Sequence, residues 1–174
     1  MIDANRSSPD RQKKSQRSRL SAGLLLFRRK GEALEVLLAH PGGPFFARKD
    51  EGAWTIPKGE ALPAEGLLTR AQIEFEEELG IRPSGKWIEL GSIRQKGGKT
   101  GYAWAFEGDL PNSFQIKSNT FEIEWPPRSG KLREFPEINR AEFFREKIAR
   151  RKMNPRQVPF LDRLLAVLRR NEEG

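Results

Sequence analysis

Six glutamates fall within 23 residues, from Gly59 to Ile81 (GEALPAEGLLTRAQIEFEEELGI), and three of them share one face of the helix that this stretch predicts. An α-helix turns once in about 3.6 residues, so Glu74 and Glu78 (i, i+4) and Glu74 and Glu77 (i, i+3) project side by side. Like charges at that spacing repel by roughly a few tenths of a kcal/mol per pair even on a solvated helix. Aimed at one spot, they are expected to hold a divalent cation. Oxygen-only ligands favour Mg2+, with Mn2+ as a substitute, over zinc or copper. The competing reading is a solvated acidic surface, and two features argue against it. A Pro/Gly turn, WTIPKGE (Trp54 to Glu60), precedes the helix and Leu79-Gly80-Ile81 stops it, which fixes both ends. The opposite face carries Leu67, Leu68, Ala71, Phe75 and Leu79, an apolar stripe that can dock on a core and hold the carboxylates in place.

Positioning that helix falls to the elements around it. Ser21 to Arg28 and Leu34 to His40 read as strands joined by the turn Arg29-Lys30-Gly31-Glu32, and PGGP (Pro41 to Pro44) breaks the chain after them. Ala53 to Ile56 predicts a short strand running into the turn before the helix. Trp87 to Gln95 and Gly101 to Glu107 predict a hairpin around Lys96 to Lys99. Phe121 to Trp125 predicts a strand stopped by Pro126-Pro127, and Ala141 to Phe144 a last strand before a helix over Arg145 to Lys152. Asn154-Pro155 then caps a C-terminal helix to about Arg170 that buries Phe160, Leu161, Leu164, Leu165 and Leu168. The fold class is α/β: strands mixed with a central helix and terminal helices fit an α/β/α sandwich around a mixed sheet.

Composition narrows the chemistry. The chain has no cysteine, which excludes thiol nucleophiles, disulfides and Cys-based zinc sites and fits a cytoplasmic location. Its single histidine, His40, excludes His-pair metal sites. Acid/base work is left mainly to Glu, Asp, Lys or Tyr. No apolar run approaches the length of a membrane span. Residues 1–19 carry six cations against two acids, a net +4 that is half of the chain's +8. They predict a disordered basic arm ahead of a single domain over residues 20–174, and a solvated tail is favoured over contact with nucleic acid.

With Gly59, Glu65, Glu74, Phe75, Glu77, Glu78, Gly80 and Ile81 in place, the stretch resembles the Nudix box of the Nudix hydrolases, G-x5-E-x7-R-E-U-x-E-E-x-G-U with U apolar. Eight of its nine fixed positions are met, and the ninth, an Arg in the family, is Ile73. The order of strands and helices extends the resemblance to about residues 20–170, and the α/β/α sandwich is the architecture it implies. It also implies that Glu74, Glu77 and Glu78 bind Mg2+, that Glu77 or Glu78 doubles as a base, and that Glu65 orients the others. A further carboxylate from beyond the box is expected, and Glu137 in FPEINRAEFF is the candidate by similarity to diadenosine polyphosphate hydrolases, with Glu122 and Glu124 as rivals. Arg70, one turn before Glu74, is the residue placed to stand in for the missing Arg; otherwise Ile73 packs on the core.

The turn Pro57-Lys58-Gly59 resembles that of Nudix enzymes acting on diadenosine polyphosphates or nucleoside triphosphates, where Lys58 would meet the phosphate chain. Arg48 and Lys49, with Lys96, Lys99 and Arg128, would add positive charge around it. Trp54, Tyr102, Trp104 and Trp125 are either base-stacking platforms or core. The favoured expectation is a Mg2+-dependent pyrophosphohydrolase of a nucleotide substrate, a dinucleoside polyphosphate or an NTP, damaged forms included, acting as a monomer or homodimer. ADP-ribose is the runner-up substrate. A weakened Nudix fold that binds nucleotides or RNA is the alternative from another class.

Overall fold

The computed structural model describes residues 19–62, 64–111 and 113–174. The expected arm over residues 1–19 lies almost wholly outside them. Strand β1 (Leu20–Lys30) is the axis of a six-stranded sheet with β2 (Ala33–Pro41), β3 (Lys58–Ala61), β4 (Ile88–Arg94), β5 (Thr100–Glu107) and β8 (Ile138–Arg145). The order is β4-β5-β1-β2-β8, with β3 also on β1. Only the β1–β5 pair is parallel, so the sheet is mixed. On its other edge β1 is shared: Leu20 to Gly23 pair with β3 and Phe27 to Lys30 with β2. β6 (Thr120–Glu124) and β7 (Leu132–Pro136) form a separate two-stranded hairpin.

Period-2 alternation sends successive β1 residues to opposite faces. Ala22, Leu24 and Leu26 pack with Leu37 against Ala71, Phe75 and Leu79 of helix α1 (Leu67–Leu79). Leu25 and Phe27 pack with Val36 and Leu38 against α2 (Glu146–Lys152) and α3 (Val158–Glu172), through Ala149, Phe160, Leu161, Leu164 and Leu168. The result is the expected α/β/α sandwich. Among the described residues no helix is long and apolar enough to cross a membrane.

One local expectation is corrected, and one strand is added. Ala53 to Ile56 is not a strand: it makes only single bridges, Ala39 to Thr55 and Trp54 to Met153. The strand falls instead on Lys58–Ala61, within the stretch read as a turn, because the chain there runs against the free half of the β1 edge. The added strand is β7, which has no apolar alternation of its own and is a strand because β6 offers it a partner in register from Thr120 to Glu124. Trp54 is buried, 1% exposed, with its ring edge on His40 and Phe144, so it belongs to the core.

Candidate active site

The segment before β3 is fastened from four sides. Thr55 exchanges both backbone hydrogen bonds with Ala39, Trp54 N–H donates to the Lys152 carbonyl, and Leu24 N–H donates to that of Pro57. Ile56 N–H donates to Oε1 of Gln157, a buried side chain that no sequence pattern marks, since one Gln beside a helix start is ordinary in type and spacing. The sole histidine is a strut: His40 Nε2–H donates to the Lys49 carbonyl at 2.7 Å. Held in this way, β3 passes directly under α1.

Contact between β3 and α1 is closest at Gly59. A Cβ there would lie 2.0 Å from Cδ of Glu74, so only glycine lets the strand run beneath that carboxylate. Glu78 is buried beside it, 7% exposed, and accepts a hydrogen bond from the Lys58 backbone N–H. Its second oxygen, Oε2, is buried with no hydrogen-bond partner among the described residues. Burial first, then the negative charges of Glu74 and Glu137, push the Glu78 carboxyl up to about 8. Burial, reinforced by Glu77, also raises Glu74, against the opposing pull of Arg70. Gly80, with φ +71°, ends α1 in the left-handed conformation and returns its N–H to the Glu76 carbonyl, which fixes the helix end one residue past the cluster.

Arg70 ties the cluster together. Its guanidinium donates to both oxygens of Glu65, at 2.7 and 3.1 Å, and to Oε1 of Glu74 at 3.3 Å. This fork holds Glu65 well below the usual carboxylate range, helped by the Leu62 N–H that also donates to Glu65. Ile73 is 39% exposed and not a core residue. The one position that departs from the box therefore contributes no charge, and a cation one turn earlier reaches the carboxylates.

The remaining candidates separate into two groups. Glu137, exposed between β7 and β8, lies near enough to raise both Glu74 and Glu78. Its backbone is held by Gly42 N–H on its carbonyl and by its own N–H on the Asn119 carbonyl. The rivals point elsewhere: Glu124 accepts from Gly130 N–H, and Glu122 sits opposite Glu134 in the hairpin. Lys58 is partly buried at the foot of the cluster, where burial and then the neighbouring charge of Lys99 lower its ammonium, while Glu78 and Glu60 draw it up. Lys99 in turn pairs with Glu60 at 2.9 Å. Arg48 and Lys49 are not brought to the carboxylates by any ion pair; they are exposed on the loop after β2, with the Lys49 ammonium over the Phe46 ring.

Among the described residues, no three His, Asp or Glu side chains converge as a ready-formed cation site. The cluster nevertheless fits a divalent cation on one observation, the orphaned buried oxygen of Glu78 in the midst of other carboxylates. Without a cation that oxygen has lost water and gained nothing.

No curated protein matches the chain. In fold it is similar to an Ap4A hydrolase of C. elegans in a binary complex (TM-score 0.62, 19% identity, 85% of this chain and 97% of that one). It is similar as well to the NUDIX domain of Shewanella oneidensis NrtR complexed with ADP ribose (0.61, 14%, 97% and 99%) and to the E. coli ORF135 protein (0.52, 18%, 86% and 91%). The family profile described as NUDIX domain matches residues 17–164. The chain belongs to the Nudix family.

Proposed function

We propose that this Nudix protein is a hydrolase that cleaves a phosphoanhydride bond in a nucleoside polyphosphate, either a dinucleoside polyphosphate or an NTP, with Mg2+ held by Glu74, Glu77 and Glu78. Nudix proteins generally use divalent metals. The observation that carries the reading is Glu78, buried beside Glu74 with one oxygen unpartnered. When bound there, the ion would neutralise phosphate oxygens and make water acidic enough to serve as a nucleophile.

The chain's own residues supply the rest. Arg70 keeps Glu65 and Glu74 in register, taking over from the residue that is Ile73 here. Glu137, exposed and facing Glu74 and Glu78, takes the proton from the water that attacks phosphorus. Lys58 and Lys99, neighbours at the edge of the cluster, offer paired positive charge to a phosphate chain, which favours a long chain over the two phosphates of ADP-ribose.

A panel of NTPs, dinucleoside tetraphosphates and ADP-ribose, assayed for nucleotide and phosphate release with Mg2+, Mn2+ or EDTA, tests this. Turnover of the polyphosphates that EDTA abolishes is expected. Preferred turnover of ADP-ribose would replace the substrate class, and tight binding of the whole panel without turnover would replace the enzyme with a binding module. Glu137→Gln should lower kcat on the order of 10²-fold while Glu122→Gln leaves it unchanged. The opposite ranking would move the proton acceptor to the hairpin.

A further inference from the structure

On the face of the sheet opposite α1, a cavity of about 980 Å³ opens between the β1–β2 turn, α2 and α3. That volume is at the upper end of the roughly 300–1,000 Å³ typical of small-molecule sites. Its lining is divided by depth. Leu34, Leu165 and Leu168 are buried or partly buried against the main core cluster, and Ile148, 38% exposed, is one of few large apolar side chains left open to solvent. The cations Arg145, Lys147, Arg151 and Arg169 are all exposed around them.

Charge pairing in this region leaves those four cations over. Arg29 is matched by Glu172 and Glu146 by Arg150, each at 3.3 Å, so that Glu32 is the remaining acid of the lining. None of the four makes an ion pair among the described residues. Residues 145–173 carry nine cations against four acids, the basic part of the folded chain. Four like charges around an apolar floor repel one another, and an anion seated among them would relieve the repulsion. No aromatic side chain lines the cavity, so a nucleobase would find nothing to stack on.

We infer that this cavity is a second binding site, separate from the carboxylate cluster, for a small amphipathic anion: an apolar chain lying on Leu34, Ile148, Leu165 and Leu168 with a carboxylate or phosphate head among Arg145, Arg151 and Arg169. The occupant is a free molecule and not a membrane surface, because three of the four apolar side chains, Leu34, Leu165 and Leu168, are the deep ones and the cations stand outside them.

The test is amide chemical-shift titration of the isotope-labelled full chain with decanoate, decyl phosphate, decanol, inorganic phosphate, ATP and phosphatidylglycerol vesicles. Decanoate and decyl phosphate should shift residues of the β1–β2 turn, α2 and α3 saturably and leave β3 and α1 unmoved. Decanol and inorganic phosphate should bind at least tenfold more weakly, since each supplies half of the recognition. The double variant Arg145→Gln/Arg169→Gln and the single variant Ile148→Ser should each weaken decanoate at least tenfold. Equal binding of decanol, stronger binding of ATP or inorganic phosphate, shifts with vesicles alone, or no saturable shift would overturn the inference. So would variants that bind as the wild type does. Both arginines are exposed and unpaired, so the variant retains its fold, and the decanoate-to-decanol ratio on the wild type decides the matter independently.

Discussion

On the β3–α1 side of the carboxylates, position is set by hard contact: backbone without a side chain runs under Glu74, Glu78 accepts from the Lys58 N–H, and Arg70 grips two acids at once. The β6–β7 hairpin reaches the same carboxylates differently. Its body meets the rest of the molecule through rings, Trp125 edge-on to Phe45 at 5.6 Å and Phe121 over Gly43. Only at its base, where Glu137 is pinned through its backbone by Gly42 and Asn119, is a carboxylate brought near Glu74 and Glu78. The first region should tolerate almost no change at the contacts themselves. The second should tolerate change everywhere except at its base.

The largest effect is expected at Glu78. Glu78→Gln keeps the shape and removes the charge, and kcat should fall on the order of 10³-fold. Stability should move the other way. The Glu78 carboxyl sits at about 8 in the folded protein against an ordinary 4.5, so the native state holds a proton that the unfolded chain has released. That stabilisation is full below pH 4.5 and lost as pH rises through 8. The metal-free wild type should therefore lose on the order of 4 kcal/mol, or a Tm of roughly 10 °C, between pH 5 and pH 8.5, relative to Glu78→Gln. Thermal unfolding in EDTA at the two pH values reads this out. Parallel pH dependence in the two proteins would mean that Glu78 is not buried as described.

Next in size is Gly59→Ala. The atoms that a Cβ would strike are Cγ, Cδ and Oε1 of Glu74, the movable end of a side chain. The fold can accommodate the methyl by swinging Glu74 aside, and the cost is expected in catalysis. A displacement of about 1 Å at a catalytic group can cost about 10²-fold, so kcat should fall by that order with Tm nearly unchanged. A large fall in Tm with kcat preserved in the folded fraction would show that the contact is structural. As the contrast, Trp125→Ala in the hairpin should leave kcat within a few-fold of wild type, because the ring it loses stands away from Glu137.

How much of this could be read beforehand follows the same division. The β3–α1 unit was legible because its contacts are local or nearly so: i, i+3 and i, i+4 spacing puts Glu74, Glu77 and Glu78 together, and one turn carries Arg70 back to Glu65. Even there β3 was misplaced by a few residues, since whether Lys58–Ala61 or Ala53–Ile56 pairs depends on which part of the β1 edge β2 leaves open, and no local pattern records that. The hairpin was legible only as β6. LREFP, with Phe135 the only large apolar side chain not mainly exposed to solvent, shows no alternation, and its pairing with β6 is a tertiary fact. Similarity alone put Glu137 ahead of Glu122 and Glu124, and its nearness to Glu74 and Glu78 is likewise a tertiary fact. The basic cavity was illegible, because its lining comes from three elements far apart in sequence.

The smallest expected effect concerns Arg70 and Ile73, and it probes how the rigid side of the site is held. An exposed i, i+4 pair is worth about 0.3–0.5 kcal/mol, but here the guanidinium is partly buried and also forks onto both oxygens of Glu65, a charge-assisted geometry of greater strength and direction. Losing it should free Glu65 and let Glu74 turn away from its neighbours. Arg70→Ala should thus lower kcat/KM about tenfold at limiting Mg2+ and far less at saturating Mg2+, since bound metal would itself restrain the carboxylates. Because Ile73 is exposed, Ile73→Arg should fold normally, and in the Arg70→Ala background it should restore part of the metal affinity. In the wild-type background its benefit should be small, as Arg70 already occupies the acids it would seek. An Arg70→Ala protein with unchanged metal dependence would show that the Gly59 contact alone fixes Glu74. Rescue by Ile73→Arg would show that the cluster needs a cation on this face of α1 and accepts it from either turn.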